Sequence, residues 1–307
     1  MTVHSPFASL LDELEITTDV VTVLGSETHY WVYGPEDAEV TIVVAHGYRG
    51  EHHGLEPVIA QFRGVRIIGP DMPGFGDSTP LTEVGHDIPG YAAWLGQFIE
   101  ALGLTGRSII LGHSFGSIIS TWGVANGLLS TEKLVLVNPI AASALEGPNA
   151  FLTRLTMAFY AFSMKLPRRT GEWMLRHWVI VQFMSSALTR TRDRELRRWI
   201  HDQHHTYFGN FADRETVVDA FNASVSMDIS TVGANIDVPT LLIGAEHDSI
   251  TSVAQLEELQ AMMPNATLHV IPDVGHLIHY EKAHVAARYI VDFLGQGSVV
   301  DEPPIKA

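Results

Sequence analysis

The chain has 307 residues, 46% of them apolar and 18% charged, so it can bury a large core without help from metals or crosslinks. It has no cysteine, which excludes disulfides, thiolate metal sites and a cysteine nucleophile. A formal charge of −16 argues against a nucleic-acid-binding face, which needs a basic footprint.

Residues 1–18 hold Asp12, Glu13 and Glu15 and no Lys or Arg, so they lack the basic start of a secretory signal. There is no uncharged apolar run of about 18 residues or more, so no membrane span is expected. These features suggest a cytoplasmic protein.

Short β-branched runs alternate with helical patterns, the signature of a mostly parallel sheet. Strands are expected at Val20–Leu24, His29–Tyr33, Val40–Ala45, Val65–Ile68, Ser108–Leu111, Leu134–Val137, Thr240–Ile243 and Leu268–Ile271. The run Thr41-Ile42-Val43-Val44-Ala45 is apolar without alternation, as in a strand covered on both faces. Helical patterns fall near residues 55–62, 90–102, 115–127, 252–262 and 280–294. The tail Gly295–Ala307 reads as frayed.

Between Asn138 and Val238 the strand rhythm stops. Phe151, Leu155, Ala158, Phe159 and Phe162 keep a helical period, as do Met174, Trp178 and Val181. Residues 142–235 carry 11 basic and 9 acidic side chains, and the remainder 8 and 26. The segment is thus about neutral inside a strongly acidic chain, and it reads as a helical lid of residues 142–235. The core is then discontinuous, 1–141 and 236–307.

The central chemical signal is Gly112-His113-Ser114-Phe115-Gly116, set between an apolar strand and a helical stretch. A serine hydroxyl is a weak nucleophile and must project from a sharp turn toward a base, which small flanking residues permit. Four further segments occur in order: His46-Gly47, Asp71-Met72-Pro73-Gly74-Phe75-Gly76-Asp77-Ser78, Gly244-Ala245-Glu246-His247-Asp248 and Gly275-His276.

With these five segments the chain resembles the α/β-hydrolase family from Val20 to Phe293. The resemblance implies an α/β fold with a mostly parallel eight-stranded sheet, helices on both faces and an inserted helical lid. It implies a triad of Ser114, Asp248 and His276, in the family's order of nucleophile, acid and base. It also implies an oxyanion hole made by the backbone N–H groups of Tyr48 and Phe115.

Glu246, Asp273 and Asn138 are rival positions for the acid, and His279 and His284 for the base. His46 is expected to brace its loop, and His113 to pack. His52 and His53 read as solvated residues at a helix start. His201, His204 and His205 share one helical face, a spacing that zinc sites use, but the resemblance calls for no metal or cofactor. The run Arg190–Arg198 alternates in sign, with Asp193 four residues before Arg197, as in a solvated helix.

Fold alone does not fix activity. Serine at position 114 argues against dehalogenase and epoxide-hydrolase chemistry, which use an aspartate nucleophile on this architecture. The expected reaction is hydrolysis of a small or medium carboxylic ester through an acyl-enzyme. Phe151, Phe159, Phe162, Trp173, Trp178 and Phe183 are expected to form an apolar cover over the acyl group. Carbon–carbon bond hydrolysis, cofactor-free haloperoxidase or perhydrolase activity and slow-turnover ligand sensing remain open, as does oligomeric state. The expected partner is a small-molecule ester or acyl compound, with no nucleic acid.

Overall fold

The computed structural model describes residues 3–143, 145 and 150–301. Its strands are β1 (Ile16–Val23), β2 (Ser26–Tyr33), β3 (Thr41–Ala45), β4 (Phe62–Arg63), β5 (Arg66–Pro70), β6 (Ile109–His113), β7 (Leu134–Val137), β8 (Thr240–Ala245), β9 (Ala266–Ile271) and β10 (Ser298–Val299). Eight of them form one sheet in the order β1-β2-β5-β3-β6-β7-β8-β9. The pairs β1–β2 and β2–β5 are antiparallel, and every pair from β5 to β9 is parallel. All eight expected strands are present, with ends shifted by a few residues.

Successive side chains on a strand point to opposite faces. Val43 and Ala45 accordingly join one core cluster, and Ile42 and Val44 the other. The same division separates Leu134 and Leu136 from Val135 and Val137. Both faces are dry, which is why these strands read as unbroken apolar runs.

Helices α1 (Ala8–Leu11), α2 (Glu56–Ile59), α3 (Ile88–Ala101) and α4 (Phe115–Ala125) precede β7. Five more lie between β7 and β8: α5 (Ala150–Lys165), α6 (Arg168–Arg176), α7 (Trp178–Leu188), α8 (Arg194–Tyr207) and α9 (Arg214–Ser226). After β8 come α10 (Val253–Met262), α11 (Ile278–Glu281) and α12 (Ala283–Leu294). Trp94, Phe98, Ile118 and Leu256, from α3, α4 and α10, fill one face of the sheet; Val58, Ala287 and Ile290, from α2 and α12, fill the other.

Three local expectations are corrected. Met174 and Trp178 do not share a helix, because His177 turns to extended backbone and its Nδ1 accepts from the Val179 N–H. The tail is not wholly frayed: Ser298 and Val299 pair antiparallel with Arg63 and Phe62, and Val300 N–H donates to Gln61 O. Asp193 does not pair with Arg197. It caps α8 by accepting from the Glu195 and Leu196 N–H groups, while Arg197 donates to Thr191 O.

Candidate active site

The strand β6 ends at His113, and the chain turns into α4 through Ser114 at φ 50, ψ −113. This is a backbone region that L-residues rarely adopt, and it persists only where the surroundings over-determine it. The flanking glycine is required by close approach: a Cβ on Gly116 would lie 2.0 Å from Ala45 O. The turn thus sits tightly against the end of β3.

Ser114 Oγ lies 2.8 Å from His276 Nε2, and His276 Nδ1 lies 2.9 Å from Asp248 Oδ2 and 3.0 Å from Oδ1. An ionised carboxylate only accepts, so Nδ1 carries the proton, Nε2 accepts, and the serine donates. Asp248 also accepts from the Ile250 N–H at 2.8 Å and from Asn138 Nδ2 at 2.9 Å. Burial would raise the Asp248 pKa, but His276 together with these two donors holds it below the usual carboxylate value. The acid therefore stays charged beside the imidazole.

The loop after β3 completes the floor. Gly50 N–H donates to Gly47 O at 3.0 Å, closing a turn in which Arg49 takes φ 57. A Cβ added to Gly47 would stand 3.4 Å from Ser114 Cβ, so this loop abuts the serine. His46 braces it as expected: Nδ1 donates to Gly47 O and Nε2 accepts from the Met72 N–H, both at 2.8 Å. Burial lowers the His46 pKa, keeping it in the neutral form that can accept. Phe115 opens α4, so its N–H precedes the intrahelical hydrogen bonds.

Above these groups is a cavity of about 290 Å³ reaching Ser114 and His276. Leu152, Phe183, Phe221, Val225, Ile250 and Leu277 supply much of its apolar wall. Among the described residues lining it there is no Lys or Arg, and Glu51 is the one carboxylate. His113 and His279 also line it, stacked edge to face at 4.3 Å. Burial, then the neighbouring His276, lowers His113 to about 3, so it is neutral and packs.

A model of the alpha/beta hydrolase family matches residues 42–289. The chain belongs to that family. The hydrolase is 23% identical over 283 residues to a Variovorax paradoxus protein named for carbamate hydrolysis, covering 90% of this chain and 98% of that one. It is 26% identical over 282 residues to 2-hydroxy-6-oxononadienedioate/2-hydroxy-6-oxononatrienedioate hydrolase 2 of Pseudomonas putida, covering 88% and 92%. In three dimensions it resembles an esterase from Exiguobacterium antarcticum with a TM-score of 0.72 at 18% identity, covering 91% of this chain and 100% of that one.

The structure separates the rival site residues of the hydrolase. Glu246 is exposed and accepts from the Asp273 N–H, away from His276. His284 is half-buried beside Gln61, and His279 is buried against His113. His201 and His204 both contact Ser185 Oγ at 2.6 Å, whereas His205 turns to Gln182 Oε1 at 2.7 Å. Two of the three rings thus share one serine hydroxyl, and the third engages a different partner.

Two expectations fail here. His52 is not solvated: it is buried, its N–H and Nδ1 both meet Asp71 Oδ1 at 2.8 Å, and its ring stacks on Trp31. His53 is half-buried, paired with buried Glu51 at 2.6 Å and stacked on Tyr207. The aromatic cover is also misplaced. Of its six members only Phe183 lines the cavity; Phe159 packs on Tyr160, and Phe151, Phe162, Trp173 and Trp178 face outward.

Arg49 carries a role that the sequence did not announce. It is 2% exposed, and its guanidinium donates to Phe208 O at 2.8 Å, Leu175 O at 2.9 Å and Tyr160 Oη at 3.3 Å. One side chain beside Tyr48 therefore ties the loop after β3 to α5, α6 and the end of α8. Tyr48 Oη adds a bond to Val217 O in α9 at 2.8 Å.

Proposed function

We propose that this hydrolase cleaves a small or medium carboxylic ester through an acyl-enzyme, with Ser114 as nucleophile, His276 as base and Asp248 as the orienting acid. The observation that carries the reading is the unbroken hydrogen-bond chain from Asp248 through His276 to Ser114 at the base of an apolar cavity. His276 takes the Ser114 proton as Oγ attacks the ester carbonyl carbon, and returns it to the leaving alkoxide as the C–O bond breaks. Water, deprotonated by the same imidazole, then attacks the acyl-enzyme; the acid is released and Ser114 regains its proton. Backbone N–H groups of Tyr48 and Phe115 stabilise the oxyanion, each worth about 3 kcal/mol at the transition state. The helical segment 142–235 serves as the cap that keeps the acyl site dry.

Relatives named as 2-hydroxy-6-oxononadienedioate/2-hydroxy-6-oxononatrienedioate hydrolases give weight to a second reading, carbon–carbon bond hydrolysis. A dicarboxylate substrate needs cationic partners, since burying an unpaired carboxylate costs several kcal/mol. The cavity offers it no Lys or Arg among its described lining residues, which favours an uncharged ester. The volume, near the low end of ligand pockets, favours a short acyl chain.

The test is hydrolysis of p-nitrophenyl acetate, butyrate and octanoate by wild type and Ser114→Ala. Turnover should fall by about 10⁴-fold or more in the variant, with butyrate preferred over octanoate. Equal rates in both proteins would remove Ser114 from the reaction.

A further inference from the structure

Helix α5 keeps the period expected of an amphipathic helix, but its outer face is apolar. Phe151, Leu155 and Phe162 are 80%, 55% and 55% exposed, while Leu152 and Thr156 line the cavity. Helix α6 packs on α5 and α7 packs on α6; these two helices present Trp173 at 63%, Trp178 at 65% and Phe183 at 58%. Six large apolar side chains exposed on three consecutive helices exceed the single scattered exposures normal on a surface. The same stretch, residues 150–192, has seven basic side chains and one acidic in a chain of net charge −16. Arg154, Lys165 and Arg169 are exposed beside the aromatics.

We propose that α5–α7 dock the enzyme on an anionic lipid surface. Exposed Trp and Phe flanked by Lys and Arg are the combination that seats a helix at the headgroup–acyl boundary, and basic residues add attraction to anionic lipid. A second copy of this chain is a poor occupant, because the same basic stretch would face itself. No helix among the described residues is long and apolar enough to cross a membrane; the proposed docking is at the lipid surface.

The patch is also continuous with the site. Phe183 and Ala187 are both exposed and line the cavity that reaches Ser114. An apolar acyl ester can pass from the lipid to Ser114 along these side chains without crossing water. This delivery step rests on the ester-hydrolase reading; docking itself does not.

The experiment is flotation of Ser114→Ala with vesicles of phosphatidylcholine alone or with about 30% phosphatidylglycerol. Affinity should be about tenfold or more higher for the anionic vesicles and should fall as salt screens the charge. Vesicles of brominated lipid should quench tryptophan emission, and the quenching should disappear in Trp173→Phe/Trp178→Phe. The variant Phe151→Ser/Phe162→Ser/Trp178→Ser should lose about tenfold or more of the binding, while its melting temperature and its rate on p-nitrophenyl acetate stay unchanged. Failure to float with anionic vesicles, or equal flotation of the triple variant, overturns the proposal. So does a stable dimer that protects Trp173 and Trp178 from quenching by iodide. Flotation by a protein that hydrolyses no ester would leave the docking standing and sink the reaction.

Discussion

The ends of the strands and the helices inserted after β7 solve the placement of side chains in opposite ways. Ser114, Asp248 and His276 each sit within a few residues of a parallel strand's carboxyl end, where an open α/β sheet forms its ligand crevice. Their positions follow from a ladder of backbone hydrogen bonds, so the site is stiff before any ligand arrives. The insertion has no ladder to the sheet among the described residues. Among the described residues, one of its anchors is the single bridge Phe75–Phe211, with Gly76 N–H donating to Asn210 O at 3.0 Å. Others are side chains: Arg49, Tyr48 and the Asn210–Glu51 contact at 3.1 Å. The proposed triad is thus held at strand ends, and the insertion by a short backbone bridge together with long-range side-chain contacts, so substitutions in the two regions should fail differently.

The largest effect is expected at the strand ends. Asp248→Asn should keep the fold and lower kcat by about 10⁴-fold, read on p-nitrophenyl butyrate; a loss below tenfold would mean that the imidazole is oriented by something else.

Arg49→Met should act on the insertion instead. It strands the carbonyls of Leu175 and Phe208, costing about 2–4 kcal/mol of stability, visible as a lower urea midpoint and faster amide exchange in α6 and α8. If exchange rises equally in β6 and β8, the division between the two regions is wrong.

The third effect is set by pH. His204 is buried and lowered to about 3, chiefly by burial and then by His201 and His205. The unfolded chain's imidazole titrates near about 6.5, so between that pH and about 3 the unfolded state binds the extra proton. Stability is complete above pH 6.5 and falls as pH drops, by about 1.4 kcal/mol per unit for this group. His204→Gln should flatten the urea-derived stability profile between pH 6.5 and 5 by about that slope.

The sheet was legible because its central strands β3, β6, β7 and β8 are short, apolar and buried on both faces. The serine turn was legible because glycine spacing is a local property. Less local features were hidden. His52 is buried because Asp71 meets it from the loop after β5, which no pattern around residue 52 announces. Arg49 looks like any loop arginine; the acceptors named above lie 111 to 159 residues away in the chain. The period of α5 was correctly read, but period says which residues share a face, not whether that face looks inward. Trp178 was placed on the same helix as Met174 because nothing in their spacing reveals the break at His177.

Asn138, at φ 47, sets its amide 2.9 Å from the Asp248 carboxylate. This proximity gives the site two neighbouring seats for an acid, one of them occupied by an amide. Moving the acid from one seat to the other would take two substitutions, and either order passes through an impaired intermediate. Changing Asp248 first leaves two amides and no counter-charge for the imidazolium. Changing Asn138 first sets two carboxylates within hydrogen-bonding reach, where they cannot both ionise freely. On the proposed assignment of Asp248 as the acid, the chain therefore sits on one side of a two-step barrier, held there by the contact that supports it.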